Sequence, residues 1–326
     1  MSSLGLSRDS RRLWFVLRFC AIATFVYGCN AGESVSQDTQ NAESDLLEVV
    51  ATSTMIADWT AQVGGEAIAL EGILEPGADP HIYEPVPADT VALEEADLIL
   101  YNGYNLEPNL IKLMQSAGQD ARQVAVGEIV TPLDFDYQGQ KAPDPHVWGD
   151  VENVVQMVEL IRDELVELAP EHEADFTQNA EAYIEELTQL DGWIADQIDT
   201  IPPEQRQLVT THDAFQYYTE AYGMEVAGTL IGISTEERPS AQTVQKLAET
   251  VEASGVPAIF AETTLNPRLI TTVAEEAGVQ LSPQELYSDS VGAANSDGDT
   301  YINMMVANTE AIVTNLGGQY TPFEPQ

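Results

Sequence analysis

Residues 171–200 read EHEADFTQNAEAYIEELTQLDGWIADQIDT. Within them Phe176, Ala180, Tyr183, Ile184, Leu187, Leu190, Ile194 and Ile198 recur at i, i+3 and i+4. That periodicity predicts one amphipathic helix of about eight turns, roughly 40 Å long at ~1.5 Å per residue. Pro202 and Pro203 end it. The stripe is not a strict heptad, so a coiled-coil partner is the lesser reading.

On either side the chain changes rhythm. Before the helix, apolar runs at 47–52, 68–74, 98–101 and 123–126 read as strands. They alternate with helical patterns at 55–63, 87–96, 107–117 and 151–168. After it, strands at 207–211, 225–230 and 257–261 alternate with helices at 214–222, 240–253, 267–277 and 300–316. Strand-helix alternation implies βαβ units and mostly parallel sheets. The predicted fold class is therefore α/β, with two lobes of sheet flanked by helices, 47–170 and 201–326, joined by the one long helix 171–200.

The 326 residues include 54 Asp+Glu and 12 Lys+Arg, a formal net charge of −42. This excludes a nucleic-acid partner, whose phosphates need clustered Lys and Arg. It also disfavours electrostatic adhesion to anionic lipid. Most of the acids read as a hydrated surface suited to salty surroundings. The only cysteines, Cys20 and Cys29, lie near the start, so a disulfide framework or thiolate metal site in the folded body is excluded.

Residues 1–28 carry Arg8, Arg11, Arg12 and Arg18 against Asp9, with apolar runs at 13–17 and 19–27. They read as a secretory signal, too short for a membrane span of ~20 residues. The run ends Val26-Tyr27-Gly28-Cys29, which resembles a bacterial lipobox with Cys29 as the lipidated mature N-terminus. Residues 10–14 also faintly resemble a twin-arginine signal. Cleavage before Cys29 leaves 8 basic and 53 acidic residues, net −45. Residues 29–46, polar and aperiodic, read as a lipid-anchored flexible tether.

There are four histidines. His81 and His146 each close an Asp-Pro-His tripeptide, and His212 follows the strand at 207–211. Each precedes a helical pattern near the carboxyl end of a strand, the edge where open α/β sheets bind ligands. Gaps of 65 and 66 residues put them on separate loops that can converge. The spacing leaves a shared metal site and unrelated loop histidines both open. His172 lies among Glu171, Glu173 and Asp175 and reads as a solvated surface residue.

Asp-Pro-His-Ile-Tyr-Glu-Pro at 79–85, Asp-Pro-His-Val-Trp at 144–148, Thr-His-Asp-Ala-Phe at 211–215 and Tyr-Ser-Asp-Ser at 287–290 resemble the metal-binding (cluster A-I) solute-binding lipoproteins of ABC transporters. The resemblance covers nearly all of residues 47–317. It implies one divalent transition metal between the lobes, held by His81, His146, His212 and Asp289. It also implies a cognate permease and ATPase, and a place on the periplasmic or extracytoplasmic face of a bacterial membrane. The expected state is a monomer that is not an enzyme.

Three imidazoles and a carboxylate suit zinc, manganese or iron(II) rather than calcium. Four protein ligands close the shell, whereas a hydrolytic site keeps a position open for water. Asp79, Glu84, Asp144 and Glu262 are the acids expected to orient the imidazoles, Glu262 foremost. Zinc-selective members of the family often carry a His- and acid-rich loop before the second motif. Here residues 134–143, DFDYQGQKAP, have no His and no insertion. Manganese members often have Glu where this chain has His212. The missing loop tilts the expectation slightly to manganese over zinc. Competing readings are a zinc-dependent hydrolase, needing an open metal position and Glu262 as base, and a surface adhesin with incidental metal.

Overall fold

The computed structural model describes residues 46–137 and 140–325. The signal, Cys29 and all of the tether but Leu46 lie outside them. The first half is built on four parallel strands, β1 (Leu47–Ala51), β2 (Ile68–Gly72), β3 (Leu98–Tyr101) and β4 (Arg122–Ala125), in the order β2-β1-β3-β4. Val49, Val50, Leu98, Ile99 and Leu100 are all buried, so β1 and β3 are covered on both faces, as parallel strands between helices must be. The crossovers are α1 (Thr54–Gly64), α2 (Pro87–Glu95) and α3 (Pro108–Ala117). Ser53 caps α1 by accepting the Ile56 N–H, and α2 and α3 each begin with a proline, whose missing donor is free of cost there. The chain direction of the order reverses between β1 and β3, and that places a crevice at their carboxyl ends.

The stretch at 134–143, to which the sequence assigns no element, forms an antiparallel hairpin of β5 (Asp134–Tyr137) and β6 (Gln140–Pro143). Its strands, DFDY and QKAP, carry no apolar run to announce them. Helix α4 (Val151–Leu168) follows, capped by Asp150. The long helix is α5 (Glu173–Asp199), 27 residues, preceded by a 3-10 turn at Pro170–His172 that delays its start by two residues. Its stripe is buried against α1, α4 and, later in the chain, α9 (Tyr301–Asn315), so the supporting partner is intrachain.

The second half has two parallel pairs, β7 (Gln207–Thr210) with β8 (Glu225–Thr229) and β9 (Ala258–Ile259) with β10 (Gln280–Leu281). The Phe260 N–H donates to the Val209 carbonyl at 2.9 Å and sets β9 beside β7. β9 is shorter than expected, and β10 carries no recognisable apolar run. Helices α6 (Gln216–Ala221), α7 (Ala241–Ser254) and α8 (Arg268–Ala277) complete the layer. Ser240 caps α7, and Gly255, at φ 73°, closes it in the left-handed conformation that glycine adopts without strain.

One apolar cluster runs through both halves, from Trp59 and Val154 through Phe176 and Leu187 to Leu208, Tyr218 and Tyr301. Trp59 and Tyr301 meet edge to face at 5.4 Å. Two smaller clusters cover the outer faces, around Ile99 and Leu110 in one half and Ile259 and Ile270 in the other. The two sheets therefore stand on a common helical core, with their carboxyl edges facing one crevice.

Candidate metal centre

His81 lies in the long connection after β2, His146 in the turn after β6, His212 two residues beyond β7, and Asp289 in the segment before α9. Each comes from a different connection, and all four are buried. One ligand-type atom from each lies within 4.8 Å of the others. His81 Nε2 is 3.2 Å from His146 Nε2. His146 Nε2 is 3.4 Å from Asp289 Oδ1, and His212 Nε2 is 3.2 Å from Asp289 Oδ2. Tetrahedral ligands ~2.0–2.1 Å from an ion are spaced about 3.3 Å apart, so these edges suit a small ion at the centre. Both Asp289 oxygens and His212 Nε2 are buried without a hydrogen bond. Buried polar atoms seldom go unpaired, and these three belong to one cluster of ligand-type atoms.

The imidazoles are aimed from behind. His146 Nδ1 lies 2.7 Å from Asp144 Oδ1, and His212 Nδ1 bonds Glu262 Oε2. A carboxylate that takes the Nδ1–H leaves the Nε2 lone pair turned inward, the tautomer a metal needs. Asp144 Oδ1 also accepts the His146 N–H at 3.0 Å, and Glu262 Oε1 the His212 N–H at 2.7 Å. Asp79 behaves otherwise. Its Oδ1 accepts the His81 N–H at 2.9 Å, while Oδ2 accepts the Thr235 hydroxyl at 2.6 Å. It positions the His81 backbone and not the ring. Glu84 is exposed in the turn before α2, so it does not support an imidazole. His172 is half-exposed beside Asp175 and Phe176, as a surface residue should be.

The charges are strongly coupled. Burial opposes charging of His146, but the Asp144 and Asp289 carboxylates outweigh it and lift its pKa to about 9. Burial likewise opposes charging of His212, and Asp289 and Glu262 override it, holding its pKa well above the ordinary value. Burial lowers His81 to about 3, helped by its two imidazole neighbours and resisted by Asp289. Asp289 is held well below the usual carboxylate range, the imidazoles outweighing its burial.

Several supports carry no signal in the sequence. The Trp148 ring packs 5.3 Å from His146, and its Nε1–H donates to the Ser288 carbonyl beside Asp289. The Tyr217 hydroxyl donates to the Asp144 carbonyl. A Cβ on Gly149 would meet the Tyr218 backbone nitrogen at 2.9 Å, so glycine lets this turn press directly on α6. Trp148 at least stands within a quoted motif; Tyr217 is indistinguishable from any helix aromatic.

A family profile described as "Zinc-uptake complex component A periplasmic" matches residues 49–315. The chain belongs to this family. Its members are the metal-binding solute-binding components of ABC transporters. Among its relatives, a manganese-binding lipoprotein, MntA, of Halalkalibacterium halodurans is 35% identical over 94% of this chain and 99% of its own length. The zinc-binding protein TroA of Treponema pallidum is 35% identical over 92% and 98%. The solved structure of the latter aligns with a TM-score of 0.78 at 34% identity, covering 82% of this chain and 98% of that one. Fe(III)-bound YtgA from Chlamydia trachomatis aligns at 0.75 with 27% identity, covering 84% and 99%. The family confirms the α/β class with two lobes. Among the described residues no helix is long and apolar enough to cross a membrane.

Proposed function

We propose that this chain captures one divalent transition metal ion through His81, His146, His212 and Asp289 and hands it to a cognate ABC permease driven by its ATPase. Residues 1–28 act as the signal, Cys29 carries the lipid, 29–46 tether the body, and 171–200 link lobes 47–170 and 201–326. The chain works as a monomer on the extracytoplasmic face of a bacterial membrane. The observation that carries the reading is the convergence of four buried ligand atoms around an Asp289 carboxylate with no hydrogen bond. Delivery is favoured over hydrolysis because both Glu262 oxygens are engaged by His212, so the base a hydrolase would need there is not poised.

Manganese is the favoured cargo, ahead of zinc. The support is the segment 134–143, a short hairpin without histidine in place of a His-rich loop. Zinc outcompetes manganese at nearly any nitrogen-bearing site, so affinity in vitro does not name the cargo. The test is metal content by mass spectrometry on protein purified from its own cells without chelator, beside His146→Ala. One equivalent of manganese in the parent and a marked loss in the variant are expected. One equivalent of zinc overturns the choice of cargo, and no stoichiometric metal in either overturns capture itself.

A further inference from the structure

A cavity of about 830 Å³ adjoins the cluster. His81 lines it, whereas His146, His212 and Asp289 do not. Its first-half wall includes Tyr104 and Phe135; its second-half wall is Ile233, Ser234, Glu236 and Glu237. That second wall belongs to the segment 230–239, which leaves β8 and leads to α7.

The root of this segment is bonded to both neighbours of His212. The Thr211 carbonyl accepts the N–H groups of Leu230 and Ile231 at 3.1 and 2.8 Å, and the Asp213 N–H donates to the Gly232 carbonyl at 3.3 Å. Its tip reaches across to the other half, where the Thr235 hydroxyl donates to Asp79 Oδ2 at 2.6 Å. The other oxygen of Asp79 holds the His81 N–H. A path of hydrogen bonds thus joins the His212 loop to the His81 loop, in parallel with the ion that would join the same two side chains. Two links that close one gap favour each other thermodynamically.

We propose that Thr235 and Asp79 form a latch between the two ligand-bearing loops, and that residues 230–239 gate metal exchange at the His81 edge of the site. This rests on the metal-capture reading. Thr235 is a positioning residue and touches no ligand atom. Removing its hydroxyl leaves Asp79 bonded to the His81 N–H but frees the segment from the first half.

The experiment is release of zinc(II) from the loaded full chain to an excess of chromogenic chelator, for the parent, Thr235→Val and Thr235→Ser. Hydrogen bonds to carboxylates are strong enough that Thr235→Val is expected to release zinc about tenfold faster or more. Thr235→Ser keeps the hydroxyl and stays within about twofold of the parent. Uptake of zinc by the metal-free variant does not slow, which a damaged site would show. Thr235→Ala replaces the valine variant if that one does not fold. Equal release from parent and Thr235→Val overturns the latch, as does equally fast release from the serine variant. A parent that binds no equivalent of zinc refutes the metal site, and the latch with it; a parent that binds one, with unchanged rates, refutes the latch alone.

Discussion

On the proposed reading, metal capture at this site is a proton exchange, and its stoichiometry follows from the burial of its charges. In the metal-free protein His146, with a pKa of about 9, holds a proton at pH 7. His212 is raised well above its ordinary value and holds a second. His81, at about 3, holds none. A metal ion needs all three imidazoles neutral. Each ion bound at pH 7 therefore displaces about two protons, and two positive charges replace two, so the buried site keeps its net charge. The sign is fixed by the raised values: protons compete at pH 7, and affinity rises with pH until both imidazoles have titrated, His146 at about pH 9. With the proton on His146 alone, competition at pH 7 weakens the metal by about 100-fold, or about 2.7 kcal/mol. With both protons coupled, affinity changes by about two decades per pH unit. Calorimetric titration of zinc(II) in buffers of different ionisation enthalpy measures the release directly, as the slope of observed heat on buffer heat. A release near zero at pH 7, with affinity flat from pH 6 to 8, would refute the reasoning and mean that the imidazoles are neutral before metal arrives.

Glu262→Gln keeps an acceptor for the His212 N–H but presents no second acceptor to Nδ1–H; zinc affinity measured against a competing chelator falls about 10- to 100-fold, and unchanged affinity would dismiss Glu262 as the residue that sets the tautomer. Glu107, fully buried, accepts from the Thr52 hydroxyl and the Asn102 N–H through one oxygen, and burial lifts its pKa from 4.5 to about 7 despite those bonds. The folded state then holds a proton that the unfolded state releases, so the Glu107 contribution is full below about pH 4.5 and lost as pH rises through about 7. Glu107→Gln, which keeps the accepting oxygen, gains up to about 3 kcal/mol on the parent between pH 4.5 and pH 8 in urea unfolding; parallel pH profiles for the two proteins would rule out the raised carboxyl.

The long helix was legible because nothing local competes with it. Its stripe runs through a helix of 27 residues, and every member but Ile184, which packs at its margin, is buried. The strands of the second half were harder to place. β9 and β10 have two residues each, and what defines them is pairing with partners distant in sequence. The hairpin β5–β6 was missed for a different reason: its strands, DFDY and QKAP, carry no apolar run. The four clustered side chains were singled out by their motifs, three histidines out of four and one aspartate out of many, and the fold gathers all of them.

The two Asp-Pro-His tripeptides show where such reading stops. In both, the aspartate Oδ1 accepts the N–H of the histidine two residues on, at 2.9 Å for Asp79 and 3.0 Å for Asp144. That turn is written in three residues and needs nothing else. The rings then part company. Asp144 reaches the His146 Nδ1, whereas the second oxygen of Asp79 is taken by Thr235, 156 positions away. Identical sequence thus yields one aspartate that tunes an imidazole and one that ties two loops together. For Asp79 the difference is made by Thr235 against the second oxygen; for Asp144 the same Oδ1 serves both the backbone N–H and the ring, and Oδ2 is buried without a hydrogen bond. It follows that the roles are separable by experiment: loss of the Asp144 contact acts on the pH dependence of binding, while loss of the Thr235 contact acts on the rate of exchange.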